Sequence, residues 1–141
     1  MIELMVALAI VAVLMAVGVV LYGRMLHAAD DTKTQHELVT ASKVQALHHL
    51  ETGLFSSDHD ALTDLEPNVR YSLDGDPTGT IVVRTEPARE HRDVCLFAIS
   101  RSGVWHSMYH SSFAGDLYGN SAPVECVPVN VADWSRQAWG S

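Results

Sequence analysis

From Leu4 to Gly23 the chain reads LMVALAIVAVLMAVGVVLYG, twenty consecutive residues without a charge. Wound as an α-helix rising about 1.5 Å per residue, this run is about 30 Å long, the thickness of a bilayer's hydrocarbon core. Val, Ile, Leu, Ala and Met supply nearly all of it, so it is apolar on every side. Such a helix needs apolar surroundings all round: a large protein core, lipid, or other helices. With 141 residues, the chain has enough material for one domain and too little to wrap such a rod in a soluble core. The segment therefore reads as a membrane helix. A cleaved secretory signal fits poorly, because those begin with basic residues and carry an apolar run of only about 7–15 residues.

Charge divides the chain the same way. Residues 1–29 hold only Glu3 and Arg24, which cancel, so the net charge of −8 belongs entirely to residues 30–141. We divide the chain into 1–23, the membrane or core half of a helix, and 24–141, the amphipathic half of that helix plus a globular head. The head is acidic and lacks the clustered Lys and Arg that nucleic acid requires, so a nucleic-acid partner is not indicated. Its densest positive stretch, REHR at 89–92, itself contains a Glu.

Beyond the rod, Ala41, Val44, Leu47, Leu50 and Leu54 recur at three and four residues, an apolar stripe expected to pack on the head. Gly53 and the SSDHD run at 56–60 supply stop and turn signals. One helix is predicted from about residue 2 to about residue 52. A helical turn follows around Ala61–Leu65, closed by Pro67. Strands are then predicted at Val69–Leu73, Thr80–Thr85, Val94–Ser100 and Val104–Tyr109, separated by DGDPTG, EPAREHRD and RSG. From Ser111 to Ser141 the chain is rich in Gly, Pro, Asn and Ser and reads as irregular. The expected fold is α+β, a long N-terminal helix packed on a small antiparallel sheet.

Cys95 and Cys126 read as one disulfide if the head lies outside the cytoplasm, and as two free thiols if it lies in a reducing one. Two isolated cysteines are too few for a structural metal. Of the eight histidines, none completes a recognisable site. HELVT at 36–40 begins like a zincin motif, but Thr40 stands where the second His must be. His48 and His49 diverge by about 100° on a helix. DHD at 58–60 reads equally as a weak cation loop and as a solvated turn. Strand alternation would put Trp105 and Ser107 on one sheet face, His106 and Met108 on the other. For Trp105, His106, Tyr109 and His110, an ordinary sheet face is preferred over an adhesive or carbohydrate-stacking patch. There is no nucleophile elbow and no phosphate-binding glycine loop, and DGDPTG lacks the downstream Glu of an EF-hand. We expect no catalytic residue, no metal and no cofactor.

Glu3 is the residue that an ordinary anchor does not explain. A carboxylate costs up to about 2.5–3.5 kcal/mol at a bilayer centre, less near the interface, so its presence calls for a positive partner from another molecule. With it, the run IELMVALAIVAVL resembles the N-terminal signature of type IV pilins and pseudopilins. Met1 and Ile2 match the family's aliphatic pair, and Glu3 and Leu4 its glutamate and leucine. The resemblance implies cleavage by a prepilin peptidase after an upstream Gly, leaving an N-methylated aromatic residue and a hydroxyl residue ahead of Met1. Met1 would then be an internal methionine. It also implies that Glu3 meets the N-terminal ammonium of a neighbouring subunit in an apolar filament core, where two charges costly alone become tolerable together.

The layout also resembles pilins: long helix, antiparallel sheet and a disulfide-bounded C-terminal loop region. The landmarks LTDLEPNV, VCLFAISRSGVW, YG, Cys126 and a final Trp are more loosely similar to actinobacterial pilins. Ala12 and Ala16 form a small-xxx-small pair that permits close helix approach, while Gly18 and Gly23 lower local helix propensity. The implied protein is a structural subunit of a helical homopolymer, part of a cell-surface filament (fimbrium) built by a pilus assembly machinery. Before assembly it would be held in the cytoplasmic membrane with its head outside. Arg24 alone favours its flank staying inside, so the family's basic leader would have to outweigh it. A minor or secretion-system pseudopilin shares every feature. A single-pass membrane protein with an extracytoplasmic binding head is the reading of a different class.

Overall fold

The computed structural model describes residues 2–72, 75–85, 92–111, 115–121, 126 and 134–139. A single helix α1 runs over Ile2–Thr52, the predicted extent. It stops as the turn signals require. Gly53 takes φ 79°, the left-handed conformation that glycine adopts without a Cβ penalty, and its N–H bonds His49 O at 2.8 Å. Thr52 Oγ1 closes the end by donating to His48 O at 2.8 Å.

The head buries α1 only from Thr34 onward. The buried face is Thr34, Leu38, Ala41, Ser42, Val44 and Gln45, which recur at helical spacing. This corrects the predicted stripe. Ala41 and Val44 are buried, but Leu47, Leu50 and Leu54 are exposed. At about 100° per residue, Leu47 points about 200° away from Gln45, so a face that buries one must expose the other. Half of the buried face is polar, and two of its three polar residues bond back to the helix's own backbone. Thr34 Oγ1 donates to Asp30 O at 3.0 Å and Ser42 Oγ to Val39 O at 2.9 Å, which lets small hydroxyls sit in the interface.

After α1 the chain turns back through Phe55 and Ser56 into α2, His59–Leu65, whose N-cap Asp58 accepts from Asp60 N at 3.1 Å. Four strands follow: β1 Val82–Thr85, β2 Asp93–Ile99, β3 Trp105–Ser111 and β4 Gly115–Gly119. They form one antiparallel sheet in the order β1-β2-β3-β4. The β2–β3 connection is the predicted RSG turn, with Gly103 at φ 87°.

Two strand expectations need correction. Residues 69–72 are not a strand; Tyr71 makes only an isolated parallel bridge to Ile81, with Ser72 N bonding Ile81 O at 2.9 Å. Leu73 lies outside the described residues, as does most of the EPAREHRD loop. In the other direction, β4 arises where an irregular chain was expected. Its GDLYG sequence is too short and glycine-rich to read as a strand, and it exists because β3 supplies a ladder from Ser107 to Ser111.

The sheet is covered on both sides. Val83, Val94, Leu96, Ala98 and Met108 face Leu38, Ala41 and Val44 of α1, Phe55, and Leu62 of α2. Burying each of the Val, Leu, Met and Phe side chains stabilises the head by about 1.5–3 kcal/mol before conformational entropy is subtracted. The opposite face carries Cys95 and Tyr109, covered by Cys126, Leu117 and Trp134. Cys95 and Cys126 are disulfide-bonded, with Cα atoms 5.5 Å apart. The C-terminal segment then crosses the free edge of β4, where Ser135 and Tyr118 exchange backbone bonds of 2.8 and 2.7 Å. Trp134 sits on one face and Trp139 on the other, which shields an edge that would otherwise be open to strand addition. Within the predicted irregular region, 112–114, 122–125, 127–133 and 140–141 lie outside the described residues.

Candidate functional site

Two regions of this architecture carry groups whose placement the fold alone does not require. The first is the N-terminal half of α1. Every large apolar side chain from Ile2 to Leu26 is between 46% and 77% exposed, and none touches the head. The helix is long and apolar enough to span a membrane. Glu3 stands in its first turn, where the helix dipole favours a carboxylate. Among the described residues Glu3 has no ion-pair partner. Arg24, the nearest fixed cation in sequence, is about 32 Å along the same helix and cannot reach it. Any countercharge for Glu3 in an apolar phase must therefore come from outside the described residues.

The second region is where α1 meets the head. Asp31 accepts hydrogen bonds from Ser100 Oγ at 2.6 Å and from Ser102 Oγ, both on the β2–β3 turn. Ser100 Oγ and Ser102 Oγ are 2.7 Å apart, and Val104 N bonds Ser100 Oγ at 3.2 Å, so the turn itself is knitted around the carboxylate. Behind it lies His106 of β3, only 3% exposed, with Nε2 3.9 Å from Asp31 Oδ1. That separation is too long for a hydrogen bond, and neither ring nitrogen of His106 has a partner. Trp139 closes the site with its ring edge-on to the imidazole at 5.7 Å, anchored by Nε1 donating to Gly119 O at 3.0 Å. Burial pushes the Asp31 carboxyl up, but the two serine bonds and the neighbouring imidazole outweigh it and hold the carboxyl below its ordinary range. Burial pushes His106 down, and the attraction of Asp31 only partly offsets that.

Asp31, Ser100, Ser102 and His106 were not singled out as a group by sequence reasoning. Ser100 and Asp31 are 69 positions apart, and no local pattern links them. The one available signal was the pair of serines flanking Arg101 in a tight turn.

Several of the other described histidines serve packing or local bonds. His49 stacks on Phe55 at 4.5 Å, and Phe55 meets His110 edge-on at 5.2 Å. His110 also contacts Asp116 across the β3–β4 ladder. Among the described residues no three His, Cys, Asp or Glu side chains converge as a metal site. The β3 alternation is as predicted, with Met108 on the helix side and Tyr109 on the disulfide side. Because His106 and Tyr109 are buried on opposite faces, Trp105, His106, Tyr109 and His110 form no common exposed patch. In DGDPTG, Asp76 Oδ1 accepts from Thr78 N at 2.9 Å as a turn, and Asp74 is outside the described residues.

The arrangement defines a class: an α+β head carried on one long helix whose distal half is bare and apolar. This layout is compatible with that of pilins. No protein-family model matches the chain, and no curated protein or solved structure matches it either.

Proposed function

We propose that the protein is a structural subunit of a type IV pilus-like filament, anchored in the cytoplasmic membrane before it polymerises through α1. The observation that supports this most is Glu3 at the tip of a helix half that no part of the head covers. A bare apolar helix is satisfied equally by lipid and by other helices, so moving it between them gains little hydrophobic energy. What then favours the polymer is close packing and relief of an unpaired carboxylate. Pairing Glu3 with a neighbour's N-terminal ammonium would supply that relief and set the axial register between copies. The reading assigns the protein no catalytic residue and no cofactor. Its partners are further copies of itself, the membrane, a prepilin peptidase and the assembly machinery.

The test is Glu3→Ala in cells that assemble the filament. Expected are normal membrane insertion, an intact disulfide and filament yield reduced at least about tenfold, since 1.4 kcal/mol lost per contact is already tenfold. Normal yield of filaments containing the variant would falsify the pairing. Mass spectrometry of sheared filaments separates a major subunit from a minor or secretion-system pseudopilin by copy number. Complete absence of the chain from any filament would favour a single-pass membrane protein with a binding head.

A further inference from the structure

We propose that the contact between Asp31, the β2–β3 turn and His106 is an acid-sensitive latch that holds the helix at a defined angle to the head and loosens on acidification. Asp31 is the most N-terminal residue of α1 whose side chain bonds to the head among the described residues. The buried face starts only at Thr34, one turn further on. Everything N-terminal to it is a bare rod, so the direction of that rod is set at this point. A small change here is amplified along about 40 Å of helix.

The latch responds to acid because of how His106 is held. At neutral pH the imidazole is uncharged and fills a space closed by Trp139, with neither nitrogen bonded. Adding a proton creates a charge that the site as built does not solvate. Asp31 is the charged group facing it, from α1. The β2–β3 turn offers only the hydroxyls of Ser100 and Ser102, already committed to Asp31. From β2 the residue in register with His106 is Ala98, and the C-terminal segment and β4 present Trp139 and Tyr118, themselves packed edge to face. The imidazolium can be satisfied in two ways. Either Asp31 moves across the 3.9 Å gap and strains its serine bonds, or the ring escapes to water past Trp139. Both disturb the contact that orients the helix. The sign agrees: a histidine held below its ordinary value of 6.5 favours the folded contact above that pH, and the contribution is lost as pH falls. The latch operates whether the rod lies in lipid or in a polymer, so it does not depend on the filament reading.

The experiment is amide hydrogen exchange on the full chain in neutral detergent micelles at about pH 7.5 and about pH 5, corrected for intrinsic rates. For the wild type, protection over residues 28–38 and 99–106 should fall at least about threefold at the lower pH, while β2 residues 94–97 keep theirs. In His106→Phe, which keeps a ring against Trp139 and cannot titrate, the difference should vanish. His106→Gln repeats the test without the ring. An unchanged wild type, or the same acid response in a folded variant, overturns the proposal. Should both variants lose protection throughout at neutral pH, proton NMR of the wild-type His106 ring decides. A midpoint below 6.5 that coincides with the exchange change supports the latch, and one at or above 6.5 overturns it.

Discussion

Gln45 is a fully buried polar residue in the helix face that grips the head, and it makes a sharp test of how the grip works. Its amide bonds one residue of the returning chain twice. Nε2 donates to Ser56 O at 2.7 Å, and Ser56 N donates to Oε1 at 3.1 Å. The pair pins the turn that brings Phe55 into the core, 3% exposed and stacked on His49. Consider Gln45→Met, which keeps the length and volume of the side chain and removes both bonds. Each lost bond costs about 0.5–1.5 kcal/mol net, and Ser56 N–H and C=O are left without partners at a half-buried position. Partial access of water to Ser56 keeps the sum close to that of the two bonds alone, about 2 kcal/mol. Gln45→Ala adds an unfilled space, bringing the loss to about 3–4 kcal/mol. Tryptophan fluorescence during urea unfolding in micelles reads this directly, since Trp105, Trp134 and Trp139 all lie in the head. The midpoint should drop for both variants with an unchanged slope. A Gln45→Met protein as stable as the wild type would refute the reasoning, because it would mean that shape and not the two bonds holds the turn.

Replacing Cys95 and Cys126 together by Ser opens a loop spanning 31 positions and should cost about 3–4 kcal/mol on the chain-entropy account, checked by unfolding midpoint and by protease resistance of the head. Tyr71, 9% exposed with its hydroxyl unpartnered, has its phenol pushed up to about 12 by burial and by the nearby Glu66 charge. Its contribution is therefore full below the ordinary value of 10.0 and lost as pH rises through about 12, a limb that Tyr71→Phe should abolish in an alkaline unfolding series. The Asp31 carboxyl is held below its ordinary value of 3.8, so the stability it contributes is present above that pH and lost below it. Asp31→Asn should accordingly be less stable than the wild type at neutral pH, with the gap narrowing as pH falls below about 4; a constant gap would count against the two serine bonds as its source.

Much of the head was legible from local pattern. Asp58 and Gly53 ended or began helices as their chemistry demands, and the β3 alternation placed Met108 and Tyr109 on opposite faces as a period of two requires. The helix stripe was misread because Leu47 and Leu50 outweigh Thr34, Ser42 and Gln45 on any hydrophobic scale. Those three are buried because they bond locally or clamp Ser56, and a scale that scores residues one at a time cannot register this.

By itself the amino-acid order determined the bare apolar rod, the length of α1 and the acid at its tip, because charge-free length and helix-ending chemistry act between near neighbours. It also determined the two cysteines, which became a bond once the fold brought their Cα atoms within 5.5 Å. Only the tertiary structure decided which side of α1 the head covers, that Gly115–Gly119 is a strand, and that Asp31, Ser100 and His106 share one junction. Those outcomes rest on contacts between residues far apart in the chain. Their free energy appears only when the sheet and the helix are already in place.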